Sequence, residues 1–303
     1  MAVGYKFQTQ WIKGRGKLLL LAMYTGGIGG SLFIISSLYN YVPGIILGFL
    51  ILVIGKPLFH LIFLGRPERF IYAFKNIRGS WISRGIIGIT IYAFIGGGYI
   101  YPYLDINIYN LINPILWQVL RYGSVGIALF LVMYDGFLIS YTKAIPFWNI
   151  QTMKIIFPLT SFIGGLALNL FLLNWIETVV IHDFELYEII LLTLGSLVIS
   201  IHIYLAKSRD KISNISALEL IKGRYMYLFW IGILLGIIFP LFTASIILSD
   251  ILVVKEIGRS MIGLSSTLEL IGDFIIKFSL FSVGIYRSLV DDWSTPSIYQ
   301  DTL

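Results

Sequence analysis

The chain has 303 residues, 57% of them hydrophobic and 13% charged, with a formal net charge of +6 and no cysteine. A soluble domain carries about 25% charged residues, so this composition excludes a soluble globular fold and predicts an integral membrane protein. The excess cations sit in short connectors between apolar runs, where they set orientation and do not indicate nucleic-acid binding; without cysteine the chain itself holds no iron–sulfur cluster, zinc ribbon or disulfide.

A helical span needs roughly 20 apolar residues to cross about 30 Å of hydrocarbon. Eight such runs occur, at about 18–38, 43–64, 81–103, 114–139, 154–175, 186–206, 226–249 and 261–286. They are continuous, not alternating, and exceed the roughly ten residues of a barrel strand, which favours helices. The predicted fold class is therefore an all-α integral membrane protein of eight transmembrane helices, one polytopic domain over 1–303. A division near residue 150 would make it two four-helix bundles.

The N-terminal segment is basic, and the apolar run after it is too long for a signal peptide's core, so it is expected to remain as the first span. In that span "TGGIGGS", Thr25 to Ser31, follows no strand and reads as close helix packing, not a dinucleotide loop. The glycines at 96–98 read the same way in the third span, or loosen it. Connector charge alternates. Lys6, Lys13, Arg15 and Lys17 precede the first span, and Arg66, Arg69, Lys75 and Arg78 lie between the second and third. Lys207, Arg209, Lys211, Lys222 and Arg224 lie between the sixth and seventh, whereas the intervening connectors carry Asp105, or Glu177, Asp183 and Glu185. By the positive-inside rule the basic face, and with it both termini, is cytoplasmic in the cell membrane.

Ionisable residues inside spans cost about 2.5–3.5 kcal/mol each on insertion scales and mark pathways or internal pairs. Here they are Lys56 and His60 in the second span, Asp135 in the fourth, His202 in the sixth, and Glu269, Asp273 and Lys277 in the eighth. The last three share one helix face at i, i+4, i+8, as a proton-conducting stripe or as a neutralised ion pair would. His60 and His202, at similar depth, offer a haem b site as an alternative. Tyr134 and Asp135, with His60, Arg66 and Arg69, put donors, acceptors and a proton carrier at one depth, which is what a quinone headgroup needs. Tyr134 alone would also suit an interfacial aromatic belt, and the arginines alone would suit lipid headgroups.

The stretch "LGRPERFIYAFKNIRGSWISRG", Leu64 to Gly85, resembles the NrfD/PsrC family of membrane subunits in polysulfide-reductase-like complexes, through Leu64, Gly65, Arg66, Pro67, Arg69 and Phe70 and through Ser80 to Gly85. "YDGFLISYTKAIPFWN", Tyr134 to Asn149, is similar to a second stretch of that family. The resemblance implies a subunit that oxidises quinol, of menaquinone type, or reduces quinone, without haem. It implies a four-cluster ferredoxin-like iron–sulfur partner, which in turn serves a molybdopterin subunit of a polysulfide, sulfur or thiosulfate reductase type, or a multihaem cytochrome.

On this reading quinol binds at His60, Arg66, Arg69, Tyr134 and Asp135; Lys56, Glu269, Asp273 and Lys277 relay protons. The partner docks on Arg66, Arg69, Lys75, Arg78 and Arg84, and no residue is assigned to a metal. Cations beside a quinol stabilise the anion left by its first proton. Two other classes compete: a secondary transporter or ion-conducting protein, which needs interrupted helices matched between the halves, and a structural anchor without a redox role.

Overall fold

The computed structural model describes residues 6–75, 77–104, 112–176, 182–249 and 255–287. Asp105 and Glu177 of the connectors lie outside them. Eight long helical paths occur among the described residues: α1 (Gly16–Tyr39), α2 (Val42–Leu64), α3 (Trp81–Leu104), α4 (Pro114–Ser140), α5 (Met153–Ile176), α6 (His182–Arg209), α8 (Met226–Leu248) and α9 (Lys255–Ser282), with a short α7 (Lys211–Ile221) between α6 and α8. Seven of the long ones are apolar enough to cross a bilayer. The eighth, α9, is long enough at 28 residues but carries the ionisable stripe.

Local chemistry sets the helix ends. Asn113 caps α4, its side chain accepting from the N–H groups of Ile115 and Leu116, with Pro114 in the first turn. Asn40 takes the left-handed conformation after α1, and Gly65 does so after α2. The glycine of the Leu-Gly-Arg-Pro stretch is thus required by a positive φ of 70°.

Helix contacts close two rings. In the first, α1 meets α2, α2 meets α3, α3 meets α4 and α4 returns to α1; in the second, α5, α6, α8 and α9 do the same. The rings are joined where α5 packs along α1 and α4. This is the two-bundle arrangement, all-helical among the described residues.

Glycines at helix crossings allow the approach. In the Thr25–Ser31 stretch, a Cβ at Gly26 would lie 2.5 Å from Lys56 Cδ, one at Gly27 would overlap Ser161, one at Gly29 would strike Ile51 and Leu52, and one at Gly30 would strike Val132. Four glycines in five residues thus face three different helices, the small-residue packing expected when lipid offers no hydrophobic drive between spans. Gly236 of α8 and Gly272 of α9 meet backbone to backbone.

Two spans are interrupted, which the sequence did not reveal. In α2, Ile51–Gly55 forms a π-helical turn directly before Lys56 and Pro57; in α8, Leu234–Ile238 does so before Phe239 and Pro240. Proline lacks an N–H and clashes with the preceding turn, and a widened turn absorbs both defects. The glycines at 96–98 lie within an unbroken α3.

The described ends meet on the face of the 65–80 connector. Phe7 bridges Ile285, Gln8 N–H donates to Gly284 O at 2.8 Å, and Arg287 N–H donates to Ala144 O at 2.8 Å. Trp148, fully buried, donates to Leu280 O at 3.0 Å, while Arg209 clamps the carbonyls of Pro146 and Asn149. The Pro146–Asn149 stretch is therefore a structural staple joining α4, α6 and α9.

Gly272→Leu is expected to separate α8 from α9, destabilising the protein by about 1–3 kcal/mol or more, whereas Gly126→Leu, in open space, leaves stability unchanged. Thermal unfolding of the detergent-purified chain checks the difference.

Candidate functional site

Inside the first bundle Lys56 reaches across from α2 to α4. Its Nζ lies 2.6 Å from Asp135 Oδ1 and 2.7 Å from Oδ2, and both residues are at most 5% exposed. The π-helical turn ends at Gly55, immediately before this lysine, and Gly26 of α1 leaves room for its stem. Lys56 Nζ also lies 5.1 Å from the centre of the Tyr134 ring, so the cation is held by a carboxylate and an aromatic face together. Gly85 of α3 presses on that ring, where a Cβ would be 2.7 Å from Cζ, which explains the glycine closing the Ser80–Gly85 stretch.

One turn toward the connector, His60 Nδ1 lies 2.9 Å from the Lys56 carbonyl. A carbonyl only accepts, so Nδ1 carries the proton and Nε2 is left as the accepting nitrogen. Trp81 stacks on Phe137 at 5.6 Å and adjoins Tyr134, with Ser83 buried nearby on the same helix. The structure thus brings Lys56, His60, Tyr134 and Asp135 together at one end of the first bundle.

Arg66 and Arg69 stand apart from this group. Both are exposed, Arg69 on the 3₁₀ helix Pro67–Lys75, and their side chains make no hydrogen bond or ion pair among the described residues. Lys75 and Arg78 are exposed as well. Arg84 turns inward: it donates to the carbonyls of Ile77 and Arg78 and lies over the Trp81 ring, closing its own connector.

The second bundle has a counterpart. Lys277 Nζ lies 2.6 Å from Asp273 Oδ2, one turn apart on α9, with both residues at most 2% exposed. Again a tyrosine ring takes the lysine, here Tyr24 of α1 at 5.3 Å, and the Tyr24 hydroxyl donates to Leu270 O at 2.6 Å. The π-helical turn of α8 lies against this point, since a Cβ at Gly236 would be 3.0 Å from Asp273 N. Asp135 also feels the charge of Lys277 from the other bundle.

Beyond Asp273 the line continues in carboxyls. Glu269 is fully buried, and neither of its oxygens meets an N–H or hydroxyl donor among the described residues. Its neighbour within hydrogen-bonding reach is another acid, Glu188 of α6, which in turn adjoins Glu185. All three are at most 3% exposed. A bond between two carboxyls exists only when one carries a proton. Glu188 and Glu185 escaped the sequence reading as in-span acids because they sit at the start of the sixth run; their spacing of three on a helix was the available signal.

His202 belongs to this second bundle. Its Nδ1 lies 2.6 Å from the Thr152 hydroxyl and its ring stands edge-on to Phe147 at 4.7 Å, with Nε2 buried and without a hydrogen-bond partner among the described residues. No group of three or more His, Asp or Glu gathers to hold a metal ion among the described residues.

Removing one partner of the bridging pair leaves a buried charge, so Asp135→Leu or Lys56→Met alone is expected to cost about 3–5 kcal/mol. The double variant Lys56→Met with Asp135→Leu should recover most of that loss, and a double-mutant cycle on unfolding in detergent checks it.

No curated protein matches the chain. The family model described as polysulphide reductase, NrfD, matches residues 16–287, which takes in every described helix and both ion pairs. The chain belongs to the NrfD polysulphide reductase family of membrane proteins.

Proposed function

We propose that this multi-pass membrane subunit of a respiratory oxidoreductase handles quinol at the connector end of its first bundle. The observation that carries the reading is the juxtaposition of His60, Tyr134 and the Lys56–Asp135 pair one to two turns inside a cationic connector. A quinol headgroup presents two hydroxyls and a flat ring. His60 Nε2 is the acceptor for one proton, the Tyr134 hydroxyl hydrogen-bonds the ring oxygen, and Trp81 and Phe137 supply a planar apolar wall. Lys56 steadies the negative charge left on the ring oxygen, because its own positive charge is already desolvated beside Asp135.

Asp135 is the acceptor for the second proton, and the order of buried groups beyond it gives that proton a route. Lys277 and Asp273 come next across the bundle seam, then Glu269, Glu188 and Glu185 toward the opposite face. The three α9 groups alone cover about 12 Å of membrane depth at 1.5 Å per residue. Electrons leave for an iron–sulfur partner, because this chain has no cysteine to hold a cluster. Exposed Arg66, Arg69, Lys75 and Arg78 give that partner a basic surface to meet. Members of the family pair with iron–sulfur and catalytic subunits; a four-cluster ferredoxin-like protein and a molybdopterin subunit acting on polysulfide, sulfur or thiosulfate are the proposed ones here, with a multihaem cytochrome as the other electron acceptor.

In membranes holding the assembled complex, His60→Ala and Tyr134→Phe are expected to lower quinol-driven acceptor reduction by about 10²-fold or more, with the catalytic subunit's activity on a soluble electron donor unchanged. Glu188→Gln and Glu269→Gln should slow turnover with little change in quinol KM. Equal quinol turnover in all four variants would refute the site and favour a structural anchor, and a Soret band in the purified chain would favour haem between His60 and His202.

A further inference from the structure

At the face opposite the 65–80 connector, α5 ends and α9 begins, and a cavity of about 570 Å³ opens between them. Arg259 stands in its wall. Its Nη2 donates to the Asn174 carbonyl at 3.0 Å, which satisfies one of the orphan carbonyls of the last turn of α5. The rest of the guanidinium is not accounted for by that bond. Nε is buried without an acceptor, and Arg259 forms no ion pair among the described residues.

The remaining lining tells what kind of group is missing. Asn174 contributes a side-chain amide beside Gly263, where a Cβ would lie 3.1 Å from Asn174 Nδ2. Thr267 spends its hydroxyl proton on Gly263 O. Among the described residues no carboxylate lines the cavity, so its donors call for an acceptor-only anion. The other walls are Phe171, Trp175 and Leu264, and the last two are 70% and 53% exposed. In a membrane such exposed apolar groups face lipid. Leu264, Thr267 and Ile271 continue down α9 at helical spacing as a lipid-facing stripe below the arginine. The tryptophan marks the boundary level.

We infer that this cavity is a binding site for an anionic phospholipid of that leaflet, its phosphodiester taken by Arg259 and Asn174 and an acyl chain laid along Leu264 and Ile271. A free phosphate would use the same two donors but none of the apolar stripe. The site is distinct from the ionisable groups of the quinol reading, which lie inside the bundles.

The test is retention of lipid by the full-length chain, measured by native mass spectrometry after exchange into mixed micelles of phosphatidylglycerol and phosphatidylcholine. The expected result is one phosphatidylglycerol held in preference to phosphatidylcholine. Arg259→Gln should weaken that retention about fivefold, the effect of one cation at a membrane surface. Thr267→Trp, which fills the cavity from its lipid side and leaves the arginine in place, should abolish it. Arg121→Gln, removing an arginine already bound to the Ser37 and Leu38 carbonyls, should leave it unchanged. Equal retention of the two lipids, retention unaffected by both Arg259→Gln and Thr267→Trp, or displacement by inorganic phosphate would overturn the proposal. If Arg259→Gln does not fold, Thr267→Trp decides the matter alone.

Discussion

A buried lysine in a membrane protein must be neutralised where it stands, and the contact between Lys56 and Asp135 is the constraint around which the first bundle is arranged. Moving either ion into an apolar interior costs several kcal/mol even after relaxation. The cost is offset only by close geometry, and here the ammonium meets both carboxylate oxygens within 2.7 Å and a tyrosine face behind them. Since the partners are on α2 and α4, the pair fixes the distance and register of two helices that are not neighbours in sequence. Gly26 must then be small so that α1 can lie over the lysine stem, and Gly85 must be small so that α3 can lie on Tyr134. Four helices are held in place by one charge and its neutralisation.

The π-helical turns belong to the same arrangement. A π-turn inserts a residue into a helix and rotates the turns beyond it, and such turns concentrate where a side chain must be aimed. In α2 the turn ends at the residue before Lys56; in α8 it supplies Gly236, which admits the α9 backbone at Asp273. Each bundle thus has a proline-marked widened turn and a lysine–aspartate pair with a tyrosine ring under the lysine, the ring under Lys277 coming from α1 of the first bundle. Interruptions matched between halves are also what transporters use at their substrate sites. Here both lie beside buried lysine–aspartate pairs.

Much of this was legible in advance, for reasons that differ residue by residue. Continuous apolar runs about 20 residues long have few alternatives to helices in a bilayer, so the spans could be read directly. The pairing of Asp273 with Lys277 was legible because i, i+4 residues must be neighbours on a helix. The pairing of Lys56 with Asp135 was not, since 79 residues separate them and nothing in either run points to the other. That is why Lys56 reads from sequence as a relay group and Asp135 as a quinol ligand, although they form a single unit. The glycine stretch from Thr25 to Ser31 announces close packing, yet only coordinates assign Gly26 to a lysine and Gly27 to Ser161. Arg66 and Arg69 read from their position at the boundary both as pocket residues and as docking residues; in the structure both side chains are exposed.

The two ion pairs differ in a way that bears on how they can work together. Asp273 and Lys277 sit on one rigid helix, so their separation is set by the backbone. Lys56 and Asp135 sit on two helices, so their separation depends on how α2 lies against α4. Any ligand that wedges against His60 or Tyr134 acts on the second pair first, because His60 is one turn from Lys56 and Tyr134 adjoins Asp135. With Lys277 within electrostatic reach of Asp135, a proton gained or lost in the first bundle alters the field at the fixed pair in the second. In an interior of low dielectric that effect is stronger than in water. One turn from the fixed pair on the same helix is Glu269, whose fellow acid Glu188 can bond it only by sharing a proton. On the quinol reading proposed above, a ligand acts on the α2–α4 contact, and the α9 groups, held on one helix, respond through charge.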